Sequence, residues 1–179
     1  MGLGQTLLTI MALMLMGRLI LTVNRTTLEA GSTIDVAEYR VTATSLGTSL
    51  LEYANDLAFD EATVDTFLTQ TQFPSLTDTS NFGEDFGETE FTLFDDIDDL
   101  DEYVKTDTIT SILYYSTARV EYLNVVAPST VTVTSSKTYN KRITIYVTSP
   151  VMVDYAVDPA NPRPDTLKFQ SVMSYWYFR

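Results

Sequence analysis

The densest set of chemically capable side chains is the run FDDIDDLDEY over residues 94–103, which crowds Asp95, Asp96, Asp98, Asp99, Asp101 and Glu102 together. A hard cation such as calcium draws its ligands from carboxylate oxygens of this kind. Asp95, Asp98 and Asp101 are spaced so that one loop could turn all three inward, which makes them the candidate calcium ligands. The run has neither the EF-hand spacing nor that loop's glycine, so a solvated acidic loop is the competing reading. Glycoside hydrolysis needs two carboxylates flanking a cleft at set separations, and a single crowded run does not supply that.

Other chemistry is narrowed by what the sequence lacks. Its 179 residues contain no histidine and no cysteine. The side chain most used for proton transfer near neutral pH is therefore missing, together with thiol nucleophiles, thiolate metal sites and disulfides. No phosphate-cradling glycine loop and no G-x-S-x-G elbow occurs, and no histidine is present to activate the many Ser and Thr hydroxyls. The expectation is a protein that is not an enzyme and has no cofactor beyond structural calcium. A formal net charge of −13 argues against a nucleic-acid partner, which would need a basic surface to displace counterions from phosphates.

The elements that would carry these groups begin with an apolar segment. From Leu3 to Val23 the sequence LGQTLLTIMALMLMGRLILTV is predominantly apolar, long enough at about 1.5 Å per residue to cross a hydrocarbon layer of roughly 30 Å. A cleaved secretory signal and an ordinary membrane anchor are the simpler readings. The first meets an apolar run longer than the usual core of a signal and no basic residue ahead of it. The second meets Arg18 and Arg25, which by the positive-inside rule place the following domain in the cytoplasm; a basic leader removed before Met1 would lift that conflict. Arg18 lies within the apolar run, where a guanidinium facing lipid costs several kcal/mol, about 3 or more, unless it finds an acid, a carbonyl or water. Snorkelling to an interface is one solution. The other is a bundle of staggered copies in which Glu29 of one subunit meets Arg18 of another, an offset of about 11 residues or roughly 16 Å of helix.

Val36, Tyr39, Ala43, Leu46, Leu50, Ala54 and Leu57 then recur at steps of three and four, predicting an amphipathic continuation of the helix to about Ala58. Gly17, Asn24, Gly31 and Gly47 are points where so long a helix could bend. Residues 61–107 lack periodicity and collect Gly, Pro, Thr, Asp and Phe, which reads as an acidic loop region pinned by Phe67, Phe73, Phe82, Phe86, Phe91 and Phe94. Beyond it, ITSILYYSTARVEYLNVV, STVTVTS, KRITIYVTSP running on to VMVDYAV, and LKFQSVMSYWYFR read as four or five strands. Ile143, Ile145 and Val147 alternate with Thr144, Tyr146 and Thr148, so one face points inward. Ser135 to Lys141 is the expected hairpin connection, and Pro159, Pro162 and Pro164 mark the loop before the last strand. The closing aromatics Tyr175, Trp176 and Tyr177 suit either core packing or a subunit contact. Asn24-Arg25-Thr26 spells a glycosylation acceptor, a motif that arises easily by chance.

This layout resembles type IV pilins and pseudopilins, whose mature chains begin with a long apolar helix and end in a small β domain. Met1 is an acceptable first residue for such a chain, and Gln5 stands where family members usually carry Glu. Gln5 can hydrogen-bond a neighbouring N-terminus but cannot neutralise its charge. The stretch from Phe94 to Tyr103 is similar to the acidic run of some prepilin-like proteins. The resemblance implies a structural subunit of an extracellular pilus-like filament that sits in the inner membrane before assembly and needs an assembly machinery. Its main partner would be other copies of itself. Leu3, Leu7, Ile10, Met14, Leu21 and Leu28 would then pack the stalk, with Gln5, Arg18 and Glu29 as polar determinants of register. The alternatives are a monomeric membrane-anchored envelope module and a secretion-system pseudopilin. The expected fold is α+β: a hydrophobic stalk helix over 1–30 and a globular part over 31–179. Within the globular part, 31–60 continues the helix, 61–107 is loop, and 108–179 forms an antiparallel sheet.

Overall fold

Helix α1 runs unbroken from Leu3 to Asp56. No proline occurs before Pro74, so nothing removes a backbone donor along its length, and it is continuous through Gly17, Asn24, Gly31 and Gly47. The computed structural model describes residues 2–127, 130–154 and 163–175. Met1, Pro159, Pro162, Trp176 and Tyr177 therefore lie outside the described residues. The chain divides into two compact units after Tyr39.

In the first unit, the helix surface is apolar and exposed on every side from Leu3 through Leu8, Met11 and Leu15 to Val23, and Leu28 and Ile34 are exposed beyond it. Its Thr hydroxyls turn back onto the helix: Thr6 donates to the carbonyl of Leu3, Thr22 to that of Arg18, and Thr27 to that of Val23, each at 2.9 Å. A hydroxyl satisfied in this way carries no unmet donor into an apolar environment.

In the second unit, Ala43, Gly47, Leu50 and Ala54 form the buried stripe of α1, repeating at steps of four, three and four as the helical period requires. They face a five-stranded antiparallel sheet made of β1 (Val104–Ile109), β2 (Ile112–Ala127), β3 (Thr130–Thr134), β4 (Asn140–Asp154) and β5 (Arg163–Ser174). The strand order is β1-β2-β4-β5, with β3 also on β2. The architecture is α+β, with a long N-terminal helix packed on the sheet. Gly47 has a different role from the bend expected of it. A Cβ there would come 2.3 Å from Cε2 of Phe169 on β5, so the glycine admits that ring against the helix. Arg40 and Asp165, and Asn55 and Ser171, add polar contacts along the same strand.

The register sets the inward face. Ala118, Ile145 and Phe169 are aligned across β2, β4 and β5, as are Val120, Ile143 and Ser171. Three details of the sheet differ from the sequence reading. Pro164, read as part of the loop before the last strand, lies within β5, where it pairs with Val153. The stretch read as one strand from Ile109 is a hairpin, turned at Thr110 and Ser111 with φ of 50° and 68°. That left-handed geometry is the one a tight hairpin needs, and here it is reached without the usual Asn or Gly. Lys141, read both as the end of the connection and as the start of the strand, belongs to β4, and the link from β3 ends at Tyr139. The register shift between Thr148 and Val153 falls at Pro150, which has no N–H to donate to the ladder.

Residues 57–103 wind over the sheet in short turns. Ala58 donates to Asp95 O at 2.9 Å and accepts from Ile97 N at 3.0 Å, so the chain leaving the helix pairs directly with the acidic run. Four of the six phenylalanines anchor this layer: Phe73 on Tyr139, Phe82 on Tyr122, Phe91 on Tyr53 and Tyr103, and Phe94 on Tyr103. Phe67 and Phe86 remain exposed.

Candidate functional site

The alternation that turns Ile143, Ile145 and Val147 inward on β4 turns Lys141 inward too, where it is completely buried. Its Nζ lies 2.7 Å from Phe59 O, 2.7 Å from Asp60 Oδ2 and 2.5 Å from Asp98 Oδ1. An ammonium has three N–H donors, and each is matched. Phe59, Phe82 and Tyr122 place ring centroids 4.8, 5.1 and 5.3 Å from the same nitrogen, closing the site against water.

Asp60 caps the short turn Glu61–Thr63 and accepts from Ala62 N at 3.3 Å. Its oxygens also accept from Thr77 N at 3.1 Å and from the Tyr122 hydroxyl at 3.2 Å. The Tyr122 hydroxyl is pushed far up by burial and then by the Asp60 charge. Asp98 opens the turn Asp98–Leu100, held by its own N–H donating to Asp96 Oδ1 at 2.7 Å. The Asp96 carboxyl is pushed up to about 9 by burial, then by the charge of Asp98 and a side-chain hydrogen bond to it. Asp96 therefore holds its proton at neutral pH beside Asp98. The arrangement is a buried amine against two carboxyls, one of which touches a protonated acid.

The candidate calcium ligands do not converge. Asp98 faces Lys141, while Asp101 Oδ1 accepts the Val120 N–H at 2.7 Å, between the stretches of β2 that pair with β1 and with β3. Asp95 instead meets Glu88 and Asp99, with one carboxylate oxygen from each lying within 4.8 Å of the others. Glu88 is pushed up to about 7 by burial and by the hydrogen bond and charge of Asp99. Glu88 Oε2 and Asp95 Oδ1 are buried without a hydrogen-bond partner among protein atoms.

The stalk residues Leu3, Leu7, Ile10, Met14, Leu21 and Leu28 are all exposed in the single chain. Gln5 and Arg18 lie on the same exposed helix. Glu29 has a partner within its own chain, Arg25, whose Nε is 2.8 Å from Oε1 one helical turn away. Any meeting of Glu29 with Arg18 of another copy would exchange that exposed pair.

Sequence reasoning missed the Lys141 cluster, although one signal was legible. A lysine that falls two residues before Ile143, in phase with an inward-facing alternation, has to bury its charge against acids. Compared with family models, with curated proteins and with solved structures, the chain finds no match.

Proposed function

We propose that this chain is a structural subunit of a pilus-like helical filament outside the cell, assembled by packing of its N-terminal helices. The observation that carries the reading is the exposure of large apolar side chains around the whole circumference of α1 from Leu3 to Val23. A helix that serves only its own domain needs one apolar stripe. One that is apolar all round needs surroundings that are apolar all round, either lipid or other helices. By length and composition α1 is able to cross a membrane, which suits a subunit stored in the membrane and later transferred into a bundle of its copies.

Packing among such helices need not close into a ring. A head-to-tail contact that does not close propagates as a helical polymer. The methionines Met11, Met14 and Met16 adapt to either environment, and the net charge of −13 keeps the outer surface soluble. The role is assembly, with further copies as the main partner and an assembly machinery as the other. The exposed carboxylates and the missing histidine and cysteine support no catalytic role.

Electron microscopy of material sheared from cells, with mass spectrometry of the same fraction, tests this. Filaments composed of this chain are expected. Its absence from the sheared fraction, with the chain monomeric in the membrane, would replace the filament by an anchored envelope module.

A further inference from the structure

We propose that Lys141 and Asp98 condense, so that the folded chain carries an amide bond between the Nζ of strand β4 and the side-chain carbonyl of the turn 98–100. The two reacting groups are already in contact, with Nζ 2.5 Å from Oδ1 of the Asp98 carboxyl. Lys141 is 0% exposed and Asp98 3%, so the reacting groups are held without bulk water. Positioning of this kind replaces an encounter between separate molecules by a step within one folded chain. Burial also favours the product, because the amide removes two opposite charges from a site where each is costly to keep.

Two carboxyls touch Nζ, and their surroundings give them different roles. Asp60 accepts from the Thr77 and Ala62 N–H groups and from the Tyr122 hydroxyl, and its Oδ2, 2.7 Å from Nζ, is placed to take a proton from it. Asp98 is the carboxyl joined to that of Asp96 by a side-chain hydrogen bond, and the proton in that bond makes an oxygen of Asp98 a better leaving group. The neutral amine attacks Cγ of Asp98, a C–N bond forms, and one C–O bond breaks. The departing oxygen leaves as water with the two protons that Nζ has lost, relayed through Asp60 and Asp96, which end as they began. The ammonium and the carboxylate cancel in charge, so no co-reactant is required. The remaining N–H donates to Asp60 or to Phe59 O. The link closes a loop containing β1, β2 and β3, and tension on the chain passes through the bond instead of extending that segment.

The test is peptide mapping of the full chain extracted from membranes or filaments, digested after unfolding and sequenced by tandem mass spectrometry. The expected product is a branched peptide joining Asp98 to Lys141, lighter than its two parts by one water. Asp98→Asn is expected to give the same branch with loss of ammonia in place of water. Lys141→Arg is expected to give linear peptides only, and Asp96→Asn to lower the linked fraction at a fixed time after synthesis. Linear peptides from the natural chain, with a Lys141 amine that can be acetylated once unfolded, would overturn the proposal. A branch at Asp60 would overturn the assignment of Asp98.

Discussion

The Nζ of Lys141 lies 2.7 Å from Oδ2 of Asp60 across a sequence separation of 81 residues. Both side chains are completely buried. This contact joins the turn that follows helix α1 to strand β4, and Asp98 of the acidic run meets the same nitrogen.

Relative to the chain before any Lys141–Asp98 link has formed, removing the lysine leaves Asp60 and Asp98 buried with no cation. Breaking a buried pair from one side costs about 3–5 kcal/mol, so Lys141→Met is expected to lower stability by about that amount. Denaturant unfolding of the full chain in detergent, followed by tryptophan or tyrosine fluorescence, measures it. A change below about 1 kcal/mol would show that the cluster is not buried as a unit.

Tyr122→Phe removes a single oxygen. The hydroxyl donates to Thr77 O at 2.8 Å and to Asp60 Oδ2 at 3.2 Å, and its loss leaves acceptors without that donor. The expected cost is about 1–3 kcal/mol, read from the same unfolding curves.

Glycines of α1 are expected to respond in opposite directions. At Gly47 the first added carbon meets Phe169 at 2.3 Å, and overpacking costs about 1–3 kcal/mol. Gly47→Val should therefore destabilise, with Phe169→Ala recovering part of the loss in the double variant. At Gly31 nothing lies within 4 Å, and Gly31→Ala should gain up to about 1 kcal/mol of helix stability. Thermal midpoints of the variants compare the two sites.

Acid titration has a defined sign. Glu88 and Asp96 are raised to about 7 and about 9, above the ordinary carboxyl values of 4.5 and 3.8. The folded chain therefore binds these protons more tightly than the unfolded chain, and stability falls as pH rises through the window. The contribution of these groups to the thermal midpoint is expected to be full below about pH 4 and to be lost progressively toward about pH 9. Glu88→Gln should remove the part of that fall that ends near about 7. A midpoint that rises over the same range would contradict the protonated state of both groups.

For the stalk, Arg18→Glu is expected to suppress filament yield more than Arg18→Leu does, because a like charge facing Glu29 of a neighbouring copy repels where leucine merely fails to attract. Equal yields from the natural chain and both variants, by quantitative microscopy of sheared material, would remove Arg18 from the register.

The helix and most strands were legible because their signals are local. An apolar run without proline, a stripe at steps of three and four, and the alternation of Ile143, Ile145 and Val147 each fix one element from its own residues. The turn at Thr110 and Ser111 left no such signal. Neither residue is a habitual left-handed former, and the pairing of β1 with β2 imposes the geometry. The candidate calcium set failed to converge for a related reason. Sequence spacing says how near carboxylates are along the chain, but it does not say which way each one points. Asp98 is drawn to a lysine in β4 and Asp101 to a backbone amide in β2.

The sequence by itself determined that this chain has a long apolar helix, an acidic composition and an antiparallel sheet, and that it lacks histidine and cysteine. Those properties follow from composition and short-range periodicity. Only the tertiary structure decided that Gly47 makes room for Phe169 and that the acidic run splits between a lysine, a backbone amide and a carboxyl group shared with Glu88. Only it decided that Lys141, Asp60 and Asp98 meet at all. Such contacts depend on how a helix end, a loop layer and a strand stack. A buried charge takes whatever partner that stacking brings within reach, because it has no water to fall back on.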